Sequence, residues 1–498
     1  MSKLNPAIQS DENYLKQVKR QSVTGAFSYF VRTLLLQGLG FVSIGVLSAF
    51  FSPEDFAIYG VVVMTMGLLV FFSDIGLAAA LVQQKKDPSS SEYRTAFTVQ
   101  QLLSWFIVLI ALVLVWTNVI YNKTGAAGEW ILIALALSFP LATLKTIPSI
   151  ILERKLQFSR LIVPAIAEQV VFHSLLIVLA WKGFGVVAYA YAIIFRSIAG
   201  VIVMNFLQTW PFGIEISRKA LKQLLGFGVK FQINDLLARV KDQLFYLALG
   251  WFLPLREFGY IQWAKNWSMY PYNLTVQNVM AITFPAFSRL QGHPKALSRA
   301  IEISMFFITL LIFPIIVGMS LLITPVTVLA PVYAKWQPAI LSLVFFSLSI
   351  GWSAISTPLT NTLNAIGKIN KTLKLMIMWT GLTWVITPLA VMFWGYQGVA
   401  ISALIISFSS YLAIVMVKKF VEIKVWDQVW RQLLASVVMA GVGWWLQPWL
   451  AGSWFNLVLG GLGLAGTYGL VLLATGFSKV KKEVVGIIKH AKISKKDH

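Results

Sequence analysis

Apolar runs of about 20 residues recur from one end of the chain to the other, each long enough to cross a hydrocarbon core about 30 Å thick. Inside lipid every backbone N–H and C=O must be paired within its own segment, so runs of this length fold as helices. They place about fourteen spans: 24–50, 56–82, 96–117, 129–152, 160–181, 184–208, 222–250, 255–286, 297–323, 337–365, 371–394, 397–418, 430–449 and 454–476. The expected fold is an all-α polytopic membrane protein. Composition agrees, with 58% hydrophobic residues and a mean hydropathy of +0.75. The first apolar run, Val23 to Phe51, is too long for a signal-peptide core and lacks a small-residue cleavage site, so it reads as a retained span. Cysteine is absent, which excludes disulfides, thiolate catalysis and Cys-based metal sites.

Loop charge sets the orientation. With a cytoplasmic N-terminus, that side collects Lys3, Lys16, Lys19 and Arg20, then Lys85, Lys86 and Arg94, then Arg154, Lys155 and Arg160. Further along it collects Arg218, Lys219, Lys222, Arg289, Lys295, Arg299, Lys368, Lys371, Lys374, Lys418, Lys419, Lys424 and Arg431, and finally a lysine-rich tail. The opposite side holds only Lys123, Lys182, Arg256 and Lys335. Both termini are therefore expected in the cytoplasm. The net charge of +22 is then mostly topogenic and faces anionic membrane lipids rather than nucleic acid. In the tail, Val480, Val484, Ile487, Ile488 and Ala491 recur at helical spacing among lysines, as in a helix lying on the inner leaflet. Trp116, Trp181, Trp251, Trp336, Trp394 and Trp449 fall near span ends and read as an interfacial belt. Outward loops are short, the longest being Asn118 to Gly128 and Thr324 to Trp336.

Three patterns repeat in order at a nearly constant offset of roughly 210 residues, as transporter halves do. Asp55-Phe56-Ala57 resembles Glu257-Phe258-Gly259. Pro148 before the Arg154-Lys155 loop resembles Pro358 before the Lys368 loop. Gly183-Phe184-Gly185-Val186-Val187-Ala188 resembles Gly395-Tyr396-Gln397-Gly398-Val399-Ala400. The expected organisation is a cytoplasmic segment 1–23, an N-lobe 24–208, an inter-lobe loop 209–221, a C-lobe 222–418, two appended spans in 419–476 and a basic tail 477–498. Two pseudo-symmetric six-helix lobes would then surround a central cavity.

The seventh span is the least lipid-compatible. Between Leu224 and Leu249 it carries Lys230, Gln232, Asn234, Asp235, Arg239, Lys241 and Asp242. On a helix Asp235, Arg239 and Asp242 share one face, and Lys230, Asn234 and Lys241 another. A charge facing lipid costs several kcal/mol, so both faces should turn toward protein or a water-filled cavity. Elsewhere the ionisable residues deeper than about a turn and a half from a span end are Arg32, Asp74, Lys145, Glu168, His173, Arg196 and Lys265. The excess is cationic, which suits an anionic substrate and disfavours lipophilic cations. Candidate substrate-binding cations are Arg32, Lys145, Arg196, Lys230, Arg239, Lys241 and Lys265. Asp74, Glu168, Asp235 and Asp242 are candidates for ion coupling or charge balance.

No GxxxxGK[ST] loop is present, so ATP hydrolysis is not built in. No paired carboxylates or His cluster sits at a membrane surface beneath a loop that could hold a sugar donor. The expectation is a transporter, not an enzyme, without a cofactor or a metal.

Several stretches, in order, resemble a known family: Ser52-Pro53-Glu54-Asp55-Phe56-Ala57-Ile58-Tyr59, Phe72-Ser73-Asp74-Ile75-Gly76-Leu77, Asn234 with Asp242, and Glu257-Phe258-Gly259-Tyr260. Phe284-Pro285-Ala286-Phe287-Ser288-Arg289-Leu290-Gln291, Lys335-Trp336-Gln337-Pro338-Ala339 and Leu363-Asn364-Ala365-Ile366-Gly367-Lys368 complete the set. The chain resembles Wzx-type O-antigen and polysaccharide flippases of the multidrug/oligosaccharidyl-lipid/polysaccharide exporter superfamily. It departs from the pattern at Ala57 and at Leu255-Arg256, where glycine or turn residues are more typical. The resemblance implies translocation of an undecaprenyl-diphosphate-linked oligosaccharide across a bacterial inner membrane by alternating access, with polysaccharide-assembly proteins as further partners. The rivals are a multidrug exporter of the same superfamily, which would want an acidic cavity, and a membrane-embedded glycan polymerase or glycosyltransferase, which would want a large outward loop.

Overall fold

The computed structural model describes residues 33–69, 76–84 and 86–496, and for 226–242, 282 and 477–496 the backbone alone. The described chain is helical. In order it runs α1 (Thr33–Phe50), α2 (Pro53–Leu69), α3 (Leu77–Gln83), α4 (Ser90–Trp116), α5 (Val119–Thr143), α6 (Thr146–Arg154), α7 (Phe158–Trp181), α8 (Ala188–Leu207) and α9 (Arg218–Phe252). It continues with α10 (Leu255–Tyr272), α11 (Asn278–Arg289), α12 (Pro294–Leu329), α13 (Ile340–Ala365), α14 (Ile369–Trp394), α15 (Gly398–Phe408), α16 (Tyr411–Lys418), α17 (Val425–Trp445), α18 (Gln447–Leu450) and α19 (Trp454–Lys496). Among the described residues, nine stretches are long and apolar enough to cross a membrane, and one of them, Ile369–Lys418, has 50 residues, enough for two crossings.

The chain forms two compact units, Met1–Gly259 and Tyr260–His498. In the first, α9 packs on α2, α3 and α4. Its stretch before α9 is strapped along α4: the amides of Glu215 and Ser217 donate to Thr98 Oγ1 and Thr95 Oγ1, each at 3.1 Å. The Phe97 ring meets Trp210 at 5.3 Å and Phe212 at 5.1 Å. Gly259 lets the start of α10 touch the start of α2, because a Cβ there would stand 1.9 Å from the Pro53 carbonyl oxygen.

In the second unit, Val276, Phe287, Ile301, Met305, Leu359 and Leu363 form part of one apolar core. Its helix α12 contains Pro314 and Pro325, and each proline strips the hydrogen bond from the carbonyl four residues earlier. The C-terminal helices supply the missing donors. The Tyr468 hydroxyl donates to the Leu310 carbonyl at 3.1 Å, and Gln447 Nε2 donates to the Leu321 carbonyl at 2.7 Å. An unpaired carbonyl in lipid costs several kcal/mol, so these two bonds help to fix α17–α19 on α12.

One C-terminal turn recurs along the chain. After α6, Leu156 N donates to Glu153 O and Gln157 N to Leu152 O. After α13, Gly367 N donates to Asn364 O and Lys368 N to Leu363 O, the same C-terminal turn roughly 210 residues on. Both turns pivot on a left-handed residue, Leu156 at φ 55° and Gly367 at φ 74°. The turns before α8 and α15 likewise pair a left-handed glycine, Gly183 or Gly395, with a short 3-10 turn. Leu156 pays a steric penalty that glycine at Gly367 avoids. Leu156→Gly is therefore expected to raise stability by about 0.5–1 kcal/mol, after allowing for the extra freedom glycine gives the unfolded chain. Thermal unfolding in detergent would register this as a small rise in midpoint, and a fall would refute it.

Three expectations need correction. The stretch expected as the outward loop Asn118 to Gly128 is helical from Val119, broken only at Gly125 (φ 67°). Thr124 Oγ1 bonds back to Ile120 O there, so the short turn satisfies itself outside the apolar run. The loop expected at Thr324 to Trp336 is the end of α12 followed by a 3-10 segment, Pro331–Ala339. Trp336 is not part of an interfacial belt: it is fully buried, its indole stacked on Trp263 at 4.9 Å and 8°.

Candidate functional site

Prolines also create the candidate site. Pro148 cannot donate to Leu144 O, and between α5 and α6 the backbone falls back on i→i−3 bonds, Leu144 N to Leu141 O and Lys145 N to Ala142 O. Asn205 Nδ2 of α8 donates to the freed Leu144 carbonyl at 3.4 Å. The break leaves Lys145 pointing its ammonium at Glu168 of α7, with which it forms an ion pair. The two side chains are only 25% and 16% exposed. Glu168 fits because Gly200 of α8 lacks a side chain: a Cβ there would fall 1.9 Å from the Glu168 carboxylate oxygen.

One helical turn along, the same two helices meet again. Phe172 follows Glu168 by four residues on α7, and Arg196 precedes Gly200 by four on α8. The Arg196 guanidinium lies over the Phe172 ring, 5.1 Å from its centroid. Its charge also acts on Tyr59 and His173. Tyr59 stacks on Tyr189 at 3.8 Å and 12°, and Tyr189 meets Phe51 at 5.4 Å. Arg196 is thus half-buried against an aromatic wall built from α2, α7, α8 and Phe51 just before α2. The His173 Nδ1 has no hydrogen-bond partner among the described residues.

The two cations in this cluster differ in kind. Lys145 is neutralised by Glu168. Arg196 has no carboxylate within ion-pair distance among the described residues, and its five N–H donors keep their fork geometry for planar or tetrahedral oxyanions. A cation resting on a ring face gains about 1 kcal/mol while its edge stays available.

The structure brings Lys145, Glu168 and Arg196 together in the first unit. Lys265 lies half-buried on α10 in the second unit. Arg32 and Asp74 lie outside the described residues, as do the side chains of Lys230, Asp235, Arg239, Lys241 and Asp242 on α9. Sequence reasoning missed Tyr59, Phe172, Tyr189 and Gly200. The readable signal was spacing, since Gly200 stands four after Arg196 and Phe172 four after Glu168. It also took Arg154 for a loop charge. Its side chain is 13% exposed, and Nη1 donates to Leu81 O (2.9 Å), Val82 O (3.2 Å) and Gln84 O (2.8 Å). Nη2 donates to Lys86 O (3.0 Å) and Asp87 Oδ1 (2.9 Å), so Arg154 closes the C-terminal end of α3.

Comparison with known proteins brackets this cluster. A family model described as polysaccharide biosynthesis protein matches residues 46–341. The succinoglycan biosynthesis transport protein ExoT of Rhizobium meliloti (strain 1021) is 22% identical over 294 residues, which is 58% of this chain and 58% of that protein, so the match spans somewhat over half of the relative's length. Among solved structures, the lipid II flippase MurJ in an inward closed conformation superposes with a TM-score of 0.69 at 14% identity, covering 89% of this chain and 98% of that one. An inward-facing multidrug resistance MATE family transporter of the MOP superfamily gives 0.59 at 15% identity, covering 78% and 98%. At these identities the likeness establishes a common fold.

Proposed function

Since the chain belongs to the polysaccharide biosynthesis protein family, we propose that it is a flippase moving an undecaprenyl-diphosphate-linked oligosaccharide, a capsule, exopolysaccharide or O-antigen repeat unit, across the bacterial inner membrane. The fold shared with a lipid II flippase supports the class of transport. One feature of the candidate site supports the class of substrate: a half-buried guanidinium with no acidic partner among the described residues, beside a lysine already neutralised. A diphosphate presents oxyanions that such a fork binds with charge-assisted hydrogen bonds. Sugar rings have apolar faces that suit the aromatic wall of Phe51, Tyr59, Phe172 and Tyr189. The uncompensated guanidinium repels lipophilic cations, which sets this reading above multidrug export.

In this scheme two six-helix lobes, 24–208 and 222–418, alternate their access while the lipid tail stays in the bilayer. Arg196 and the basic residues Arg32, Lys230, Arg239, Lys241 and Lys265 meet the headgroup. Asp74, Glu168, Asp235 and Asp242 balance charge when it is absent. Both termini lie in the cytoplasm. Cells lacking the chain are expected to accumulate one lipid-linked glycan in the cytoplasmic leaflet, detected by mass spectrometry of extracted lipids. Unchanged lipid-linked glycan pools together with normal surface polysaccharide would refute the function.

A further inference from the structure

A cavity of about 510 Å³ lies in the second unit, where α17 stands beside α13 and α15–α16. Ile316 of α12 forms its floor, and Trp352, Phe408, Trp426 and Ser436 line its walls. The lining is mostly apolar, with Tyr411, Ser436 and one charged group, Lys418 at the end of α16. Along α17 the cavity runs from Trp426 to Ser436, a rise of about 15 Å, which is half the thickness of a bilayer's hydrocarbon core. Phe408, Tyr411 and Trp426 are all more than half exposed, so the cavity is a crevice open at its side.

We propose that this crevice holds one acyl chain of an anionic phospholipid, with the lipid's phosphate at Lys418. Depth and charge each argue for this occupant. The crevice is one leaflet deep, which fits a phospholipid chain; a polyprenyl tail would overrun it. Its lysine sits at the mouth, where a headgroup belongs, and not within the apolar part. Around that mouth Lys418, Lys419, Lys424 and Arg431 outnumber Glu422 and Asp427. Arg431 is committed to the carbonyls of Thr475 and Asp427. Lys418 is exposed and has no carboxylate within ion-pair distance among the described residues. The crevice is lined by residues of α12, α13 and α15–α17 and shares none with the cluster around Arg196, so the site is independent of the transport reading above.

The test is native mass spectrometry of the full chain released from nanodiscs containing equal phosphatidylglycerol and phosphatidylethanolamine. Wild type should retain phosphatidylglycerol preferentially. A cation near a membrane surface is worth about fivefold in affinity, so Lys418→Ala should lose about fivefold and Lys418→Glu about thirtyfold of that retention. Leu348→Trp, which fills the crevice from its exposed wall, should lose it as well. Lys419→Glu should keep most of it, because Lys419 does not line the cavity. Thermal unfolding in lipid-free detergent should be the same for all four variants. Equal retention of both lipids, equal loss in Lys418→Glu and Lys419→Glu, or displacement of the phospholipid by equimolar undecaprenyl phosphate would each overturn the proposal.

Discussion

Replacing Arg196 with alanine is expected to cut glycan export by about tenfold to a hundredfold while the protein's abundance in the membrane stays unchanged. The magnitude follows from losing one or two charge-assisted hydrogen bonds to a phosphate, worth about 1.5–3 kcal/mol together. The fold should tolerate the change. Its contact with the Phe172 ring contributes about 1 kcal/mol, and no buried carboxylate among the described residues is left unpaired by it. Arg196→Lys keeps the charge but loses the planar fork, so it should fall between wild type and alanine. The neighbouring pair supplies the contrast. Lys145→Met with Glu168→Met removes both charges of a compensated ion pair, which is often near neutral for stability, whereas either change alone strands a poorly solvated charge at a cost of about 3 kcal/mol or more. The double variant should therefore export better than either single one. Radiolabelled glycan reaching the outer leaflet, normalised to protein in the membrane, measures all five. Full export by Arg196→Ala would sink the assignment of that residue to the substrate.

Arg154→Ala should act on the fold. Four backbone carbonyls, those of Leu81, Val82, Gln84 and Lys86, converge on this one guanidinium. Three of them belong to the last turn of α3 or its cap, where the helix leaves carbonyls unpaired and carries partial negative charge. Removing the side chain should cost about 3–5 kcal/mol. In a thermal unfolding experiment this is a drop of about 5–10 °C. Arg154→Lys should recover only part, since an ammonium cannot reach four carbonyls from one planar fork. Asp87 is the internal control. Its side chain is 99% exposed, so the Arg154–Asp87 ion pair contributes about 0–1 kcal/mol, and Asp87→Ala should leave stability nearly unchanged. A midpoint for Arg154→Ala within a degree of wild type would overturn the clamp.

The sequence was most legible where physics acts over one helix. Apolar runs announced an all-α membrane fold because lipid leaves the backbone no alternative, and the ordered motifs from Ser52 to Lys368 pointed to polysaccharide biosynthesis proteins, the family whose model matches residues 46–341. Pairings across helices were harder to read. Glu168 is 23 residues from Lys145, and only the break at Leu144–Lys145 and the bare surface of Gly200 turn them toward each other. Arg154 looked like any other loop cation, because a positive-inside bias and a carbonyl clamp use the same residue type. The carbonyls freed by Pro314 and Pro325 were predictable from the prolines. Their donors, Tyr468 and Gln447, stand more than a hundred residues away. Trp336 misled by position, since a tryptophan near a span end suits a headgroup layer as well as a stacked core pair.

The matching turns at Leu156 and Gly367 also show what the end of a helix demands of its residues. The same pair of hydrogen bonds closes α6, α7 and α13, although the pivot is Leu156, Gly183 and Gly367 in turn. The hydrogen-bond pattern fixes where each helix stops, and the residue at the bend can differ within the cost of about 1–2 kcal/mol that a left-handed leucine carries.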